Sequence, residues 1–581
     1  MSNSTSDTIF DTILSGGTVI DGSGAPAMRA DVGIRAGRIA AIGQPGKLGR
    51  SARQVQDVAG LTVTPGFVDP HTHYDAQILW DPRATPSNLH GVTSIIGGNC
   101  GFSIAPITPR DTDYVTRMLA KVEGIPLEAL QAGLDFGWGS FGEYLGRMEG
   151  RLGLNAGFLA GHSTIRRVVM GERAVHARAS ADDLLRMRAL LRASLAEGAL
   201  GFSSTWHPVH TDGDGNPVPS RAADQDEMVA LAGELANHPG TMLEFTPGMY
   251  GEWGARETAV MIAMSRAARQ PINWNPARVR ESDPATLEAQ LVHGSAAARQ
   301  GARIVGLFYP FPNSTEVSLS TARIYETIPG WDALMQLPIP ERMRQLADPA
   351  VRQRLLEGST RATGVGRLAS NWEEVRFERI AAPGLQHLIG CTAGELGRRE
   401  GKSAFDAYLD LAIADALRTY VSYPVDAVDE RSYALRVQAL RDPRAILGGT
   451  DAGAHVDSIC NANLSSRLIA EFVRGRQLLG LEEAIRMLTD APARFYGLVE
   501  RGRIQEGWHA DLCVFDAATV GAGPLVVRND FPAGAPRLYS AATGVCHVFV
   551  NGTAVVRDGV ATGALPGTVL RSGRATAGQL A

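Results

Sequence analysis

Lysine is nearly missing from this 581-residue chain: Lys47, Lys121 and Lys402 stand against 53 arginines. None of the three ends an apolar, strand-like run, which disfavours a carboxylated lysine as a bridge between two metal ions. Cysteine is scarce as well. The five thiols, at 100, 391, 460, 513 and 546, are odd in number and scattered, so they form no disulfide framework and are read as reduced. No uninterrupted apolar run approaches a membrane span, and Met1–Asp7 lacks a basic segment leading into an apolar one. A cytoplasmic protein is expected. The formal charge of −5 is spread without long runs of one sign, leaving no basic stripe for nucleic acid and no polybasic patch for a membrane. The expected partner is a small molecule; a homo-oligomer is allowed, but nothing fixes the oligomeric state. A G-x-S-x-G elbow between strand and helix is also missing, which disfavours a covalent serine mechanism.

What is present starts with size. A chain this long, 44% hydrophobic, can fill one large domain and a smaller one. Its organising stretch is Thr64-Pro65-Gly66-Phe67-Val68-Asp69-Pro70-His71-Thr72-His73. The apolar, β-branched run Leu61–Val68 reads as a short buried strand that delivers two histidines at its C-terminal end. Side chains alternate along extended chain, so His71 and His73 point the same way, as half of a divalent-metal site would require. A pair of histidines in a polar turn is the plainer reading. Asp69 and Asp75 flank the pair with a density of ligand-type residues that a turn does not need.

This stretch resembles the amidohydrolase superfamily, whose first barrel strand carries P-G-[FL]-[IV]-D-x-H-x-H. Gly97-Gly98-Asn99-Cys100-Gly101-Phe102-Ser103 after the apolar run Val92–Ile96 is similar to the G-N-C-G segment of the N-acyl-D-amino-acid deacylase (D-aminoacylase) branch. The resemblance implies a Cys100 thiolate as metal ligand, in the bridging place that a carboxylated lysine holds in many relatives. A buried apolar cysteine is the alternative.

Short glycine-punctuated strands fill residues 8–63, and the texture returns after 501 in Ala510–Asp516 and Val545–Gly552. The two ends, 1–64 and 501–581, are expected to pair into one small β-sandwich, as the resemblance implies. Between them, 65–500 alternates brief apolar runs with longer helical patterns, the rhythm of an α/β chain forming a (β/α)8 TIM-like barrel. The long stretch 312–440 is expected to be an insertion over the pocket that sets specificity.

The remaining motifs fall at the ends of apolar runs. His162 and Arg166 are similar to the family's G-H-x-x-[IL]-R; His207 and His210 follow Ala199–Ser204; and Tyr309, ending Ile304–Phe308, matches a family tyrosine that helps hold substrate. In Ala445–His455 an apolar strand ends in Asp451 at a glycine-rich turn, where little bulk crowds the carboxylate. The resemblance makes Asp451 a metal or water ligand and general acid/base; a helix N-cap is the bland alternative. His455 follows as a substrate contact.

One departure stands out. D-aminoacylases carry metal-binding histidines after strands 5 and 6, where this chain has Glu244 in Met242–Thr246 and Asn275 in Ile272–Pro276. A carboxylate still ligates zinc, whereas neutral asparagine is a poor substitute for imidazole. Fewer or weaker metal sites are therefore expected, with Asn275 in a substrate-facing polar wall. The expected chemistry is hydrolysis of linear amide C–N bonds, of the N-acyl-D-amino-acid type, with one or two zinc ions held by His71, His73, Cys100, Asp451 and more weakly Glu244. Asp451 moves the proton; His162, His210 and Tyr309 are candidates to hold the developing oxyanion; Arg166 and Arg278 are candidates for a substrate carboxylate. A cyclic-amide hydrolase or deaminase on the same fold, or an inactive scaffold, are the alternatives.

Overall fold

The computed structural model describes residues 10–48, 52–248, 253–312, 315–320, 323–423 and 426–578. Met1–Asp7, read above for its lack of a leader pattern, lies outside them. The fold is mixed α/β, and eight short strands between Phe67 and Leu447 run parallel. They are β1 (Phe67–Asp69), β2 (Val92–Gly97), β3 (Asn155–Phe158), β4 (Gly201–Thr205), β5 (Met242–Thr246), β6 (Ile272–Ala277), β7 (Ile304–Phe308) and β8 (Ala445–Leu447). β1, β2 and β3 form one sheet. Ala160–Gly161, two residues past β3, pairs with β4, and β4 through β8 continue in order as a second sheet. Most of these strands are buried along their whole length, which is why they read as continuous apolar runs rather than alternating ones.

Helices fill the intervals, several with explicit start signals. Ser180 opens Ala181–Ala196 with a capping box through Asp183, and Asp224 caps Gln225–Ala232. The helix Thr112–Val122 ends at Glu123, a residue that returns below.

The chain ends meet in one nine-stranded sheet, in which Leu512–Phe515 lies between Thr62–Pro65 and Val545–Val550. Its other edge curls back: the Ile39 N–H reaches the Trp508 carbonyl and the Ala510 N–H reaches Gly37, both at 2.9 Å. Leu14, Val32, Ile34, Leu512 and Val514 are fully buried inside the curl. A polar network ties this sheet to β3. Asn155 donates to Asp511 at 3.1 Å and accepts from the Asn551 amide at 2.9 Å, and Arg501 pairs with Asp511. Burying such a network is tolerable because its members satisfy one another.

Residues between Val317 and Tyr423 have a core of their own, built on Tyr325, Trp331, Phe377 and Tyr408, and a three-stranded antiparallel sheet. This unit touches the loop after β8, where the Glu316 N–H donates to Ser458 at 2.9 Å, and its Glu326 pairs with Lys121. Among the described residues no helix is long and apolar enough to cross a membrane.

Candidate metal centre

His71 and His73 lie just beyond β1, and the residue between them sets their direction. Thr72 bridges to Ala452, its N–H and hydroxyl both reach the Ile96 carbonyl at 2.9 Å, and the His73 N–H donates to Ala452 at 2.7 Å. With Thr72 locked to β2, the two imidazoles face the opposite way. Their rings stand edge to face, 5.2 Å between centroids.

Cys100 reaches them from the turn after β2. Its Sγ lies 3.6 Å from His71 Nε2 and 3.9 Å from His73 Nε2. One donor atom from each of the three falls within 4.8 Å of the others, and all three residues are buried. The turn depends on Gly98, at φ +73°, where a Cβ would sit 2.1 Å from the Leu159 carbonyl oxygen. Cys100 itself has φ 55° and ψ 19°, a left-handed conformation uncommon for residues other than glycine.

Asp451 closes the group from the loop after β8, also at positive φ, 53°. Its Oδ1 lies 3.1 Å from His71 Nε2 and 3.8 Å from His73 Nε2, and the side chain is 23% exposed, in contrast to the buried histidines. Burial opposes its charge, but the two imidazoles outweigh that and hold the carboxyl well below the ordinary range. Burial pushes the Cys100 thiol the other way, up to about 12, with the neighbouring Glu244 adding to it. A bound cation would ionise a coordinating thiol outright. Glu123, at the end of its helix, supports the fit: its Oε1 is 3.2 Å from His73 Nδ1, leaving Nε2 to face the cluster. Convergent buried donors with an outer carboxylate match a divalent ion's needs.

Other sequence-derived candidates fall elsewhere. Glu244 and Asn275 do sit beside Cys100, but through hydrogen bonds: Glu244 Oε2 accepts the Cys100 N–H at 2.8 Å, and its Oε1 accepts the Asn275 amide at 2.6 Å. His162 and Arg166 lie apart from the cluster. Both His162 ring nitrogens are engaged at 2.8 Å, by Ser204 and Glu227, and Arg166 is fully buried against Glu227 and the Ala174 and Ala177 carbonyls. These contacts lie inside the fold, to Ser204, to Glu227 and to two backbone carbonyls. Asp69 and Asp75 are scaffolding too. Asp69 accepts the His71 N–H at 3.3 Å and the Thr450 hydroxyl at 2.8 Å, and Asp75 accepts the Gly98 N–H at 3.0 Å.

His210 stands at the mouth of β4, its Nδ1 2.9 Å from the Thr205 hydroxyl and its ring against Phe102, with the His207 ring stacked 4.7 Å away. His455 is partly buried near Glu123, to whose carbonyl its N–H donates. Tyr309 donates to Asn461 Oδ1 at 2.7 Å, and the Arg278 guanidinium lies 5.0 Å from its ring centre, with Asp426 3.8 Å from Arg278. Two contributors escaped the sequence reading. Thr246 lies two residues past Glu244 on the same face of β5, and period-two alternation would have found it. Glu123 carries no local signal, since helix Thr112–Val122 is placed only by tertiary packing.

Buried imidazole and thiol donors gathered where parallel strands end form a candidate metal centre in an α/β fold. The chain belongs to the amidohydrolase family, whose model matches residues 54–556. It is 29% identical over 567 residues to the D-aminoacylase of Alcaligenes xylosoxydans xylosoxydans, covering 97% of each chain. A solved D-aminoacylase, described for its binuclear metal centre with one-metal activation and second-metal attenuation, aligns at TM-score 0.65 and 28% identity, over 97% of this chain and all of that one. The N-acyl-D-glutamate deacylase of Bordetella bronchiseptica, solved with zinc and a phosphonate mimic of the tetrahedral intermediate, aligns at TM-score 0.66 and 25% identity with the same coverage.

Proposed function

We propose that this chain is a zinc-dependent hydrolase of N-acyl-D-amino acids, with its centre at His71, His73, Cys100 and Asp451. The observation that carries the reading is the convergence of His71, His73 and Cys100 donor atoms within 4.8 Å, with Asp451 3.1 Å from His71. A divalent ion bound there supplies Lewis acidity and lowers the pKa of water to about 7. Asp451 Oδ1, 3.1 Å from His71 Nε2, stands where it would face the same ion, and its other oxygen takes the proton of the attacking water and returns it to the leaving nitrogen. Glu123 fixes the His73 ring through Nδ1. Arg278, stacked beside Tyr309 past the end of β6, is the carboxylate anchor, and His210 lines the opposite wall near Phe102.

The architecture proposed with this function is a closed (β/α)8 barrel of β1 to β8 from 65–500, joined at the Thr72–Ala452 bridge. The curled nine-stranded sheet is its β-sandwich, from 1–64 and 501–581, and the unit within 312–440 covers the pocket and sets specificity. A panel of N-acyl-D-amino acids, N-acyl-L-amino acids and cyclic ureides, assayed with and without chelator, tests the reading. Chelator-sensitive release of free D-amino acid is expected; turnover confined to the ureides defeats the substrate assignment.

A further inference from the structure

We infer that this centre holds one ion, and that Glu244, Asn275 and Thr246 form a clamp on Cys100 where a second cage would otherwise stand. The inference rests on the metal reading just proposed and concerns the number of ions and the work of these three side chains.

The Cys100 thiol has two sets of neighbours. On one side are His71 Nε2 and His73 Nε2, at 3.6 and 3.9 Å. On the other are the Thr246 hydroxyl, 3.4 Å from Sγ, and Asn275 Oδ1 at 4.0 Å. The first set offers ring lone pairs. The second offers only a hydroxyl, whose single proton serves either Sγ or Glu244, and a neutral amide oxygen, neither of them an anionic or imidazole ligand.

Glu244 is the one anionic candidate on that side, and its oxygens are occupied. Oε2 accepts the Cys100 N–H at 2.8 Å, while Oε1 accepts the Asn275 amide at 2.6 Å and lies 3.2 Å from the Thr246 hydroxyl. A carboxylate offers about four lone-pair sites; the Cys100 N–H and the Asn275 amide take two, and the single Thr246 proton serves either Oε1 or the Cys100 sulfur. Asn275 also spends its amide on Thr246 at 3.3 Å, and an asparagine oxygen is a weak zinc ligand. Among the described residues, the cluster of His, Cys, Asp or Glu donors close enough to share an ion is His71, His73 and Cys100, without Glu244.

The clamp has its own task. Cys100 sits at φ 55°, where a side chain other than glycine is disfavoured, and the bond from its N–H to Glu244 holds it there. That conformation aims Sγ at the two imidazoles. Strand register makes the arrangement possible: Glu244 pairs with Asn273, so Glu244, Thr246 and Asn275 share one face of β5 and β6.

The test counts metal by elemental analysis on the full chain, loaded with excess zinc and freed of unbound ion. One zinc per chain is expected, and two overturn the inference. No zinc, with activity indifferent to chelator, removes the metal reading itself and this inference with it. Glu244→Gln keeps size and should retain one ion; its loss makes Glu244 a ligand and overturns the clamp. The double change Glu244→His with Asn275→His should raise the count from one to two, and a folded double variant that stays at one overturns the assignment of this position. Should the double variant fail to fold, the wild-type and Glu244→Gln counts decide.

Discussion

Glu123 and His73 meet at 3.2 Å, carboxylate oxygen to Nδ1, with both side chains buried. The contact is at ion-pair distance, with Nε2 on the other side of the ring 3.9 Å from the Cys100 sulfur. Outer carboxylates of this kind are worth about 10- to 100-fold in metal affinity. Glu123→Ala should therefore lower zinc affinity by that factor while leaving kcat close to wild type at saturating zinc. Competition against a chelating dye measures the first and steady-state kinetics the second. Unchanged affinity would make Glu123 an ordinary buried acid.

Gly453 is held at φ +95°, and a Cβ there would lie 2.8 Å from the His73 backbone carbonyl carbon and its oxygen. Backbone cannot yield as a flexible side chain can. Gly453→Ala should cost on the order of 1–3 kcal/mol and displace Asp451 relative to His73. A drop in apparent melting temperature together with lower activity is expected, and a fully active, equally stable variant would contradict the contact.

His90 is buried, with Ser466 Oγ at 2.7 Å from Nδ1 and the Ser540 carbonyl at 3.0 Å from Nε2. Burial lowers its pKa from 6.5 to about 4, so the folded chain keeps the ring neutral while the unfolded chain protonates it. The unfolded state binds more protons between those values, and stability falls as pH drops from about 6.5 toward 4. This one group contributes roughly 2–4 kcal/mol of the loss. Melting curves across that range should be flatter for His90→Gln than for wild type; parallel curves would assign the acid sensitivity to other groups.

Much of this site was legible before any coordinates. The H-x-H pair, Cys100 and Asp451 each end an apolar run, and runs buried along their whole length mark strands whose C-terminal ends converge. Local spacing says nothing about which face of the fold a loop serves. His162 and Arg166 matched a motif and proved to be bound to Glu227, a residue about 60 positions onward. Glu123 escaped for the converse reason: its contacts with His73 and with the His455 N–H join segments far apart in the sequence. The departure at Glu244 and Asn275 was readable as missing histidines, but its meaning needed the hydrogen bonds to Cys100.

The central claim is that Asp451 moves the proton at a metal centre built on His71, His73 and Cys100. Asp451→Asn preserves shape and one acceptor oxygen but removes the basic one. The direct measurement is kcat of this variant on an N-acyl-D-amino acid, beside its zinc content and melting temperature. The account predicts a fall of at least about 10²- to 10⁴-fold with the fold retained, and a larger fall with lost zinc if Asp451 also ligates. Turnover near the wild-type rate would contradict it.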